Sequence, residues 1–264
     1  MGMPMMFEKI ARLYGNQQRL IPEFLQTHPV TVTRIAETRS RANELNGPYK
    51  PTSDSYQIVK AIIAYNNFDL PSQAKSFFQS GLETEGENLG NLYGLILSSI
   101  DLGELSEVSL YLDKIRGINP NLIAVVELEA RSLMAQGNSD RAITLLTNNL
   151  VLTPRNPVLI DSLSMIYMNQ NDPGKAHELL LDLLNNSPAR PYQIMNLATY
   201  AQSMGNESLS HYYLAEYYIS LRNLMAAEIQ LDIALENLNL EPTEREKYLA
   251  RRKQVNDALN PENR

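Results

Sequence analysis

Apolar residues along most of this chain fall three and four positions apart, the spacing of one face of an α-helix. The helical stretches are cut at regular intervals by glycine, asparagine and proline. Pro120, Pro154 and Pro188 are 34 residues apart, as are Gly103 and Gly137, and Asn171 and Gly205 continue that second series. Two amphipathic helices per 34 residues is the tetratricopeptide period, and it places repeats at about 55–88, 89–122, 123–156, 157–190 and 191–224.

The frame agrees with packing needs position by position. Where the second helix of a repeat crosses the first, a small residue is required, and the chain supplies Ala74, Val108, Ala142, Ala176 and Ser210. Four positions later a large apolar group should fill the space between helices, and Phe78, Leu112, Leu146, Leu180 and Leu214 stand there. In the first helices, Leu95, Leu163 and Leu197 take the core position and Tyr65 and Tyr167 the aromatic one. The turns Gly-Glu, Gly-Asn, Asn-Asp and Gly-Asn tolerate the left-handed backbone that stops a helix. Departures are Glu129 where leucine is expected, Gly86 where proline is expected, and Ile62 and Ile96 at a position that is usually small.

After Gly205 the phase changes. Ala227 and Leu231 follow Ala176 and Leu180 by 51 residues, one and a half periods, so the helix near 207–221 is predicted to serve two successive repeats. Beyond Pro242, TEREKYLARRKQVNDAL reads as a closing helix with a polar face, its acidic start and basic end matched to the helix dipole. Ahead of the repeats, MPMMFEKIARLYG predicts a helix with its apolar side at Met5, Met6, Ile10 and Leu13. A loop containing His28 and a second helix from about Thr31 to Leu45 follow, the latter with Arg34, Glu37, Arg39, Arg41 and Glu44 on its polar face. The predicted organisation is residues 1–46, a linker at 47–54, an all-α solenoid with its closing helix at 55–258, and a tail at 259–264.

Composition narrows the partners. The 264 residues are 44% hydrophobic with a net charge of -7, and no basic stripe offsets that charge, which excludes nucleic acid and an anionic membrane surface as expected partners. There is no cysteine, hence no disulfide or thiolate site, and no apolar run long enough to cross a bilayer. The abrupt start, without a cationic and apolar leader, fits a chain whose leader lies upstream.

First helices of stacked repeats line one wall, and projecting the frame turns Val59, Ile63, Tyr93, Leu97, Arg131, Met134, Asp161, Met165, Met168, Met195 and Gln202 toward it. Methionine adapts to irregular partners, so this candidate surface suits extended or unfolded polypeptide. A clamp for a C-terminal carboxylate would need cations where Val59, Tyr93, Glu127, Asp161 and Met195 stand. Catalytic signals are missing: His177-Glu178 begins like a helical zinc motif, but Leu181 replaces its second histidine, and His177 reads as a solvated helix residue. His211, among Tyr212, Tyr213, Tyr217 and Tyr218, reads as filling a helix interface, and Glu127 and Glu129 point to different faces.

MPMMFEKIARLYG, the stretch PEFLQTHPVTVTRI and the helix AETRSRANEL resemble the C-terminal end of the peptidase domain in periplasmic zinc metallopeptidases of the BepA type, which carry tetratricopeptide repeats behind a gluzincin protease. The resemblance implies the last helices of a metallopeptidase domain followed by a repeat solenoid. It also implies a periplasmic setting, outer-membrane β-barrel assembly and quality control, and the barrel-assembly machinery or its clients as partners. His28 matches the loop histidine that in this family lies beside the metal and can cap it. Zinc is expected only in the full-length protein, because the helix with two histidine ligands and the later glutamate would precede Met1. This chain is expected to be a C-terminal fragment, non-enzymatic and free of cofactors. A stand-alone cytosolic scaffold is the alternative, distinguished by what is encoded upstream of Met1.

Overall fold

The computed structural model describes residues 2–14, 32–44 and 52–260, which fall in two compact units, Met1–Thr52 and Ser53–Arg264. His28 and its loop lie outside the described residues.

In the first unit, α1 (Gly2–Tyr14) packs on α2 (Val32–Glu44). Glu8 pairs with Arg39, and the Arg34 guanidinium lies 5.5 Å from the centre of the Phe7 ring. These contacts fix how α1 is turned, and they correct the expected apolar side. Pro4 is buried, Phe7 and Ile10 are half-buried, and Met5 and Met6 are exposed on the other face.

The second unit is α-helical throughout its regular elements, with a tetratricopeptide-like arrangement. Its helices are α3 (Asp54–Tyr65), α4 (Pro71–Glu85), α5 (Leu89–Asp101), α6 (Leu105–Ile118), α7 (Ile123–Ala135), α8 (Ser139–Leu152), α9 (Pro157–Asn169), α10 (Pro173–Asn186), α11 (Pro191–Ser203), α12 (Glu207–Ser220), α13 (Leu224–Leu235) and α14 (Pro242–Leu259). Local chemistry sets these starts. Side chains of Ser53, Asn88, Asn156, Asp172, Asn206 and Asn223 accept the first free N–H groups of their helices, while proline opens α4, α9, α10, α11 and α14.

The turns inside repeats are one motif used again and again. Glu104 donates to Ser99 O, Asn138 to Leu133 O, Asp172 to Tyr167 O and Asn206 to Ala201 O, all at 2.8–3.0 Å, with a left-handed residue just before each donor. Asn223 donates to Tyr218 O at 2.9 Å in the same way, and its left-handed partner is Arg222, 17 residues after Gly205. That half-period step is the phase change read from the sequence. It leaves α12 packed against both α11 and α13.

The expected core positions are filled: Ala74, Val108, Ala142, Ala176 and Ser210 are buried, and so are Phe78, Leu112, Leu146 and Leu180, with Leu214 half-buried. Ser210 also donates to Ala198 O at 2.9 Å, satisfying its hydroxyl inside the helix crossing. The first repeat departs most. Here α4 leans on α5 and barely touches α3, because the Phe78 ring occupies the space a side chain at Gly94 would need. Glu129 reaches sideways to Arg116 of α6 at 2.7 Å, so the missing leucine is replaced by an ion pair at the rim.

Two sequence expectations need correction. The last turn of α14 holds no basic residue; Arg251 and Arg252 sit mid-helix. There Arg251 grips Glu216 of α12 at 2.7 and 2.5 Å and Arg252 pairs with Asp232 of α13 at 2.5 Å, while Tyr248 stacks on Tyr212 at 4.6 Å. Pairing with neighbours, rather than the dipole, places these charges. Likewise His177 is not a solvated residue. It is half-buried between α10 and α12, with Nε2 3.1 Å from the Tyr213 hydroxyl, and burial lowers its pKa.

Candidate functional site: the wall of first helices

Helices α3, α5, α7 and α9 pack side by side in that order. From α11, the Tyr192 hydroxyl and Gln193 Nε2 both donate to Asp161 of α9, at 2.5 and 3.0 Å, which extends the row. The 34-residue spacing then keeps equivalent positions on one face.

The structure sorts the projected wall residues by depth. Val59, Ile63 and Met165 are 53%, 59% and 61% exposed, and Gln202 is also exposed. Met134, Asp161, Met168 and Met195 are half-buried, Met168 against the core. Tyr93 and Leu97 are buried, since α5 is enclosed by α3, α4, α6 and α7 and has little free face. Sequence projection missed Tyr56 and Val158, both exposed and each one turn ahead of a projected residue, so the same frame carried to one more position would have included them. The sequence reading placed Glu127 on a first helix as a position lacking the cation of a carboxylate clamp, and gave it no binding role.

Glu127 lies on α7, which packs against α5 on one side and α9 on the other. It is 5% exposed, and its Oε1 accepts from Arg131 Nε one turn along α7. Burial raises the Glu127 pKa, an effect that the charge and hydrogen bond of Arg131 oppose. Burial acts to lower the pKa of Arg131, and the Glu127 carboxylate more than offsets it, so the guanidinium stays charged. The neighbouring Tyr65 hydroxyl donates to Asp101, and burial followed by that carboxylate pushes its pKa up to about 12. Tyr93, raised by burial and then by Glu127, completes a cluster from three consecutive first helices.

The wall's carboxylates are engaged by tyrosine, glutamine or arginine donors, and no nucleophile stands beside a base. Among the described residues no group of three or more histidine or acidic side chains is placed to hold a metal ion. At the far end, His211 Nδ1 lies 2.7 Å from Gln230 Oε1 of α13, in the helix-interface role expected of it. Among the described residues no helix is long and apolar enough to cross a membrane.

No family model matches the chain. It is 26% identical over 216 residues to the β-barrel assembly-enhancing protease of Yersinia pestis, a match covering 79% of this chain and 44% of that protein. It is 25% identical over 186 residues to the protein of the same name from Escherichia coli (strain K12), covering 68% and 37%. The chain therefore spans less than half the length of these curated relatives. Among solved structures it is similar to yeast Tom70 with a TM-score of 0.49 and 15% identity, over 97% of this chain and 58% of that one. A tetratricopeptide repeat protein from Parabacteroides merdae ATCC 43184 aligns with a TM-score of 0.46 and 11% identity, over 94% and 97%.

Proposed function

We propose that this chain is the polypeptide-binding repeat module of a larger periplasmic protein that serves outer-membrane β-barrel assembly and quality control. In this reading a zinc metallopeptidase domain elsewhere in the parent cuts what the repeats hold, and His28 is the loop histidine able to cap its metal. The module itself performs no hydrolysis. What carries the reading is the match to β-barrel assembly-enhancing proteases over 68–79% of the chain, in a molecule whose first helices leave Val59, Ile63 and Met165 exposed. Unfolded barrel strands alternate apolar and polar residues, and exposed aliphatic and thioether side chains are suited to bind them without a fixed sequence.

The immobilised chain should retain a urea-unfolded outer-membrane barrel protein after rapid dilution, and retain the same protein poorly once it has folded in detergent. Ile63→Asp and Met165→Asp should each cut retention several-fold while leaving the circular dichroism spectrum unchanged. Equal retention of folded and unfolded forms, or indifference to both substitutions, would refute the assignment.

A further inference from the structure

Glu127 is buried while its partner Arg131 is largely exposed, and packing alone does not call for the pair. Removing the Glu127 carboxylate from water carries a desolvation cost that one ion pair often fails to return, and an apolar residue at 127 would avoid it. The pair does, however, fix an orientation. Arg131 spends Nε on Glu127, while its two terminal nitrogens have no hydrogen-bond partner among the described residues, and its side chain remains 55% exposed. The guanidinium is thus held through Nε by a buried carboxylate while much of the side chain stays accessible.

Its neighbours decide which acceptor can approach. Glu127 already balances the Arg131 charge, and Asp101 acts on the same guanidinium. A second carboxylate arriving at the fork would meet a locally negative environment, whereas a neutral carbonyl oxygen would meet only two aligned donors. Along the same row, Val59 and Ile63 of α3 lie to one side and Val158 and Met165 of α9 to the other, all exposed. Charge balance and apolar flanks together specify the occupant.

Resting on the reading of this wall as a polypeptide groove, we propose that Arg131, braced by Glu127, anchors the main-chain carbonyls of an extended segment whose apolar side chains settle on α3 and α9. Every residue of an extended chain offers a carbonyl, so the anchor ignores sequence and rejects only acidic side chains placed at the fork. The occupant class is extended, apolar, neutral or basic polypeptide.

The test uses fluorescence anisotropy with a labelled 14-residue peptide, acetylated and amidated, alternating valine and threonine, alongside versions with one central aspartate or lysine. The wild-type chain should bind the neutral and lysine peptides several-fold more tightly than the aspartate peptide. Arg131→Ala should weaken the neutral peptide about tenfold, the effect of losing hydrogen bonds from a charged donor. Glu127→Gln should narrow the gap between aspartate and neutral peptides. Because Arg131→Ala strands a buried carboxylate and can unfold α7, the double variant Glu127→Leu/Arg131→Leu is measured in parallel and should show the same tenfold loss. Tighter binding of the aspartate peptide by the wild type, lost in the Arg131 variants, would make Arg131 a carboxylate receptor and overturn the proposal. Unchanged affinity for the neutral peptide in both Arg131 variants would overturn it too. If Ile63→Asp and Met165→Asp abolish binding in that second case, the groove stands and only the anchor fails; if they also leave affinity unchanged, the groove itself fails.

Discussion

Arg222 adopts a backbone conformation that its side chain resists. Its φ of 60° lies in the left-handed region, where Cβ crowds the following carbonyl at a cost of about 1–2 kcal/mol. Gly205, at φ 75°, makes the preceding turn without that cost. The same strain can be introduced where space is not at issue, because a Cβ added at Gly137 would meet nothing within 4 Å. Gly137→Ala should therefore destabilise the second unit by roughly 1 kcal/mol through φ alone, and Arg222→Gly should stabilise it by about 0.5–1 kcal/mol, both read from urea unfolding midpoints. A loss of stability in Arg222→Gly would mean that contacts of the arginine side chain, and not its backbone, hold the turn. Gly94 poses the opposite problem: its φ is ordinary, and what it supplies is the missing Cβ that lets the Phe78 ring lie against α5.

At the scale of elements, the α10–α12 contact is the one that should feel pH. His177 is held half-buried against Tyr213, and burial lowers its pKa below the ordinary histidine value. The unfolded chain then takes up a proton near its usual pKa of about 6.5, while the folded chain resists protonation until lower pH. Stability from this group is complete above the unfolded value and is lost as pH falls from there through the folded one. The melting temperature should thus drop between pH 7.5 and pH 5, and His177→Gln, which can keep a hydrogen bond to Tyr213, should flatten that part of the profile; an unchanged slope would assign the acid sensitivity elsewhere. This contact also marks what sequence could and could not reveal. Glycine, asparagine and proline announced the turns at Gly103, Gly137, Asn171 and Gly205 because few other residues adopt those conformations, but an arginine at 222 carries no such signal. Periodicity projects Tyr93 and Leu97 toward the wall, yet both are buried, because depth depends on the helices around α5, which no single position encodes. Local sequence around His177 does not show its contact because Tyr213 stands 36 residues further on, and the periodicity of α1 does not show its rotation because the partner of Phe7 is Arg34 on α2.

On the scale of the whole second unit, helices contact mainly their neighbours, so stability is distributed along the stack and need not be lost all at once. The two ends of the stack differ. Helix α3 contributes only Ile58 and Ala61 to the buried core, and α4 gives it little support. By contrast α12 lies between α11 and α13, and α14 closes on it through Arg251, Glu216 and the Tyr212–Tyr248 stack. Local opening should therefore begin at α3 and reach α12 last. Amide hydrogen exchange measured by mass spectrometry should show protection rising from α3 through α7 to a maximum in α12, with α3 exchanging many times faster than α12. Binding connects this gradient to function, since Tyr56, Val59 and Ile63 on the weakest helix are among the exposed apolar side chains of the wall. An extended ligand seated there stabilises only the closed form of α3, so saturating peptide should slow exchange in α3 and α5 strongly and leave α12 to α14 unchanged. Uniform protection along the stack would mean that the unit opens as one body; slowing confined to α13 and α14 would move the binding surface away from the first helices altogether.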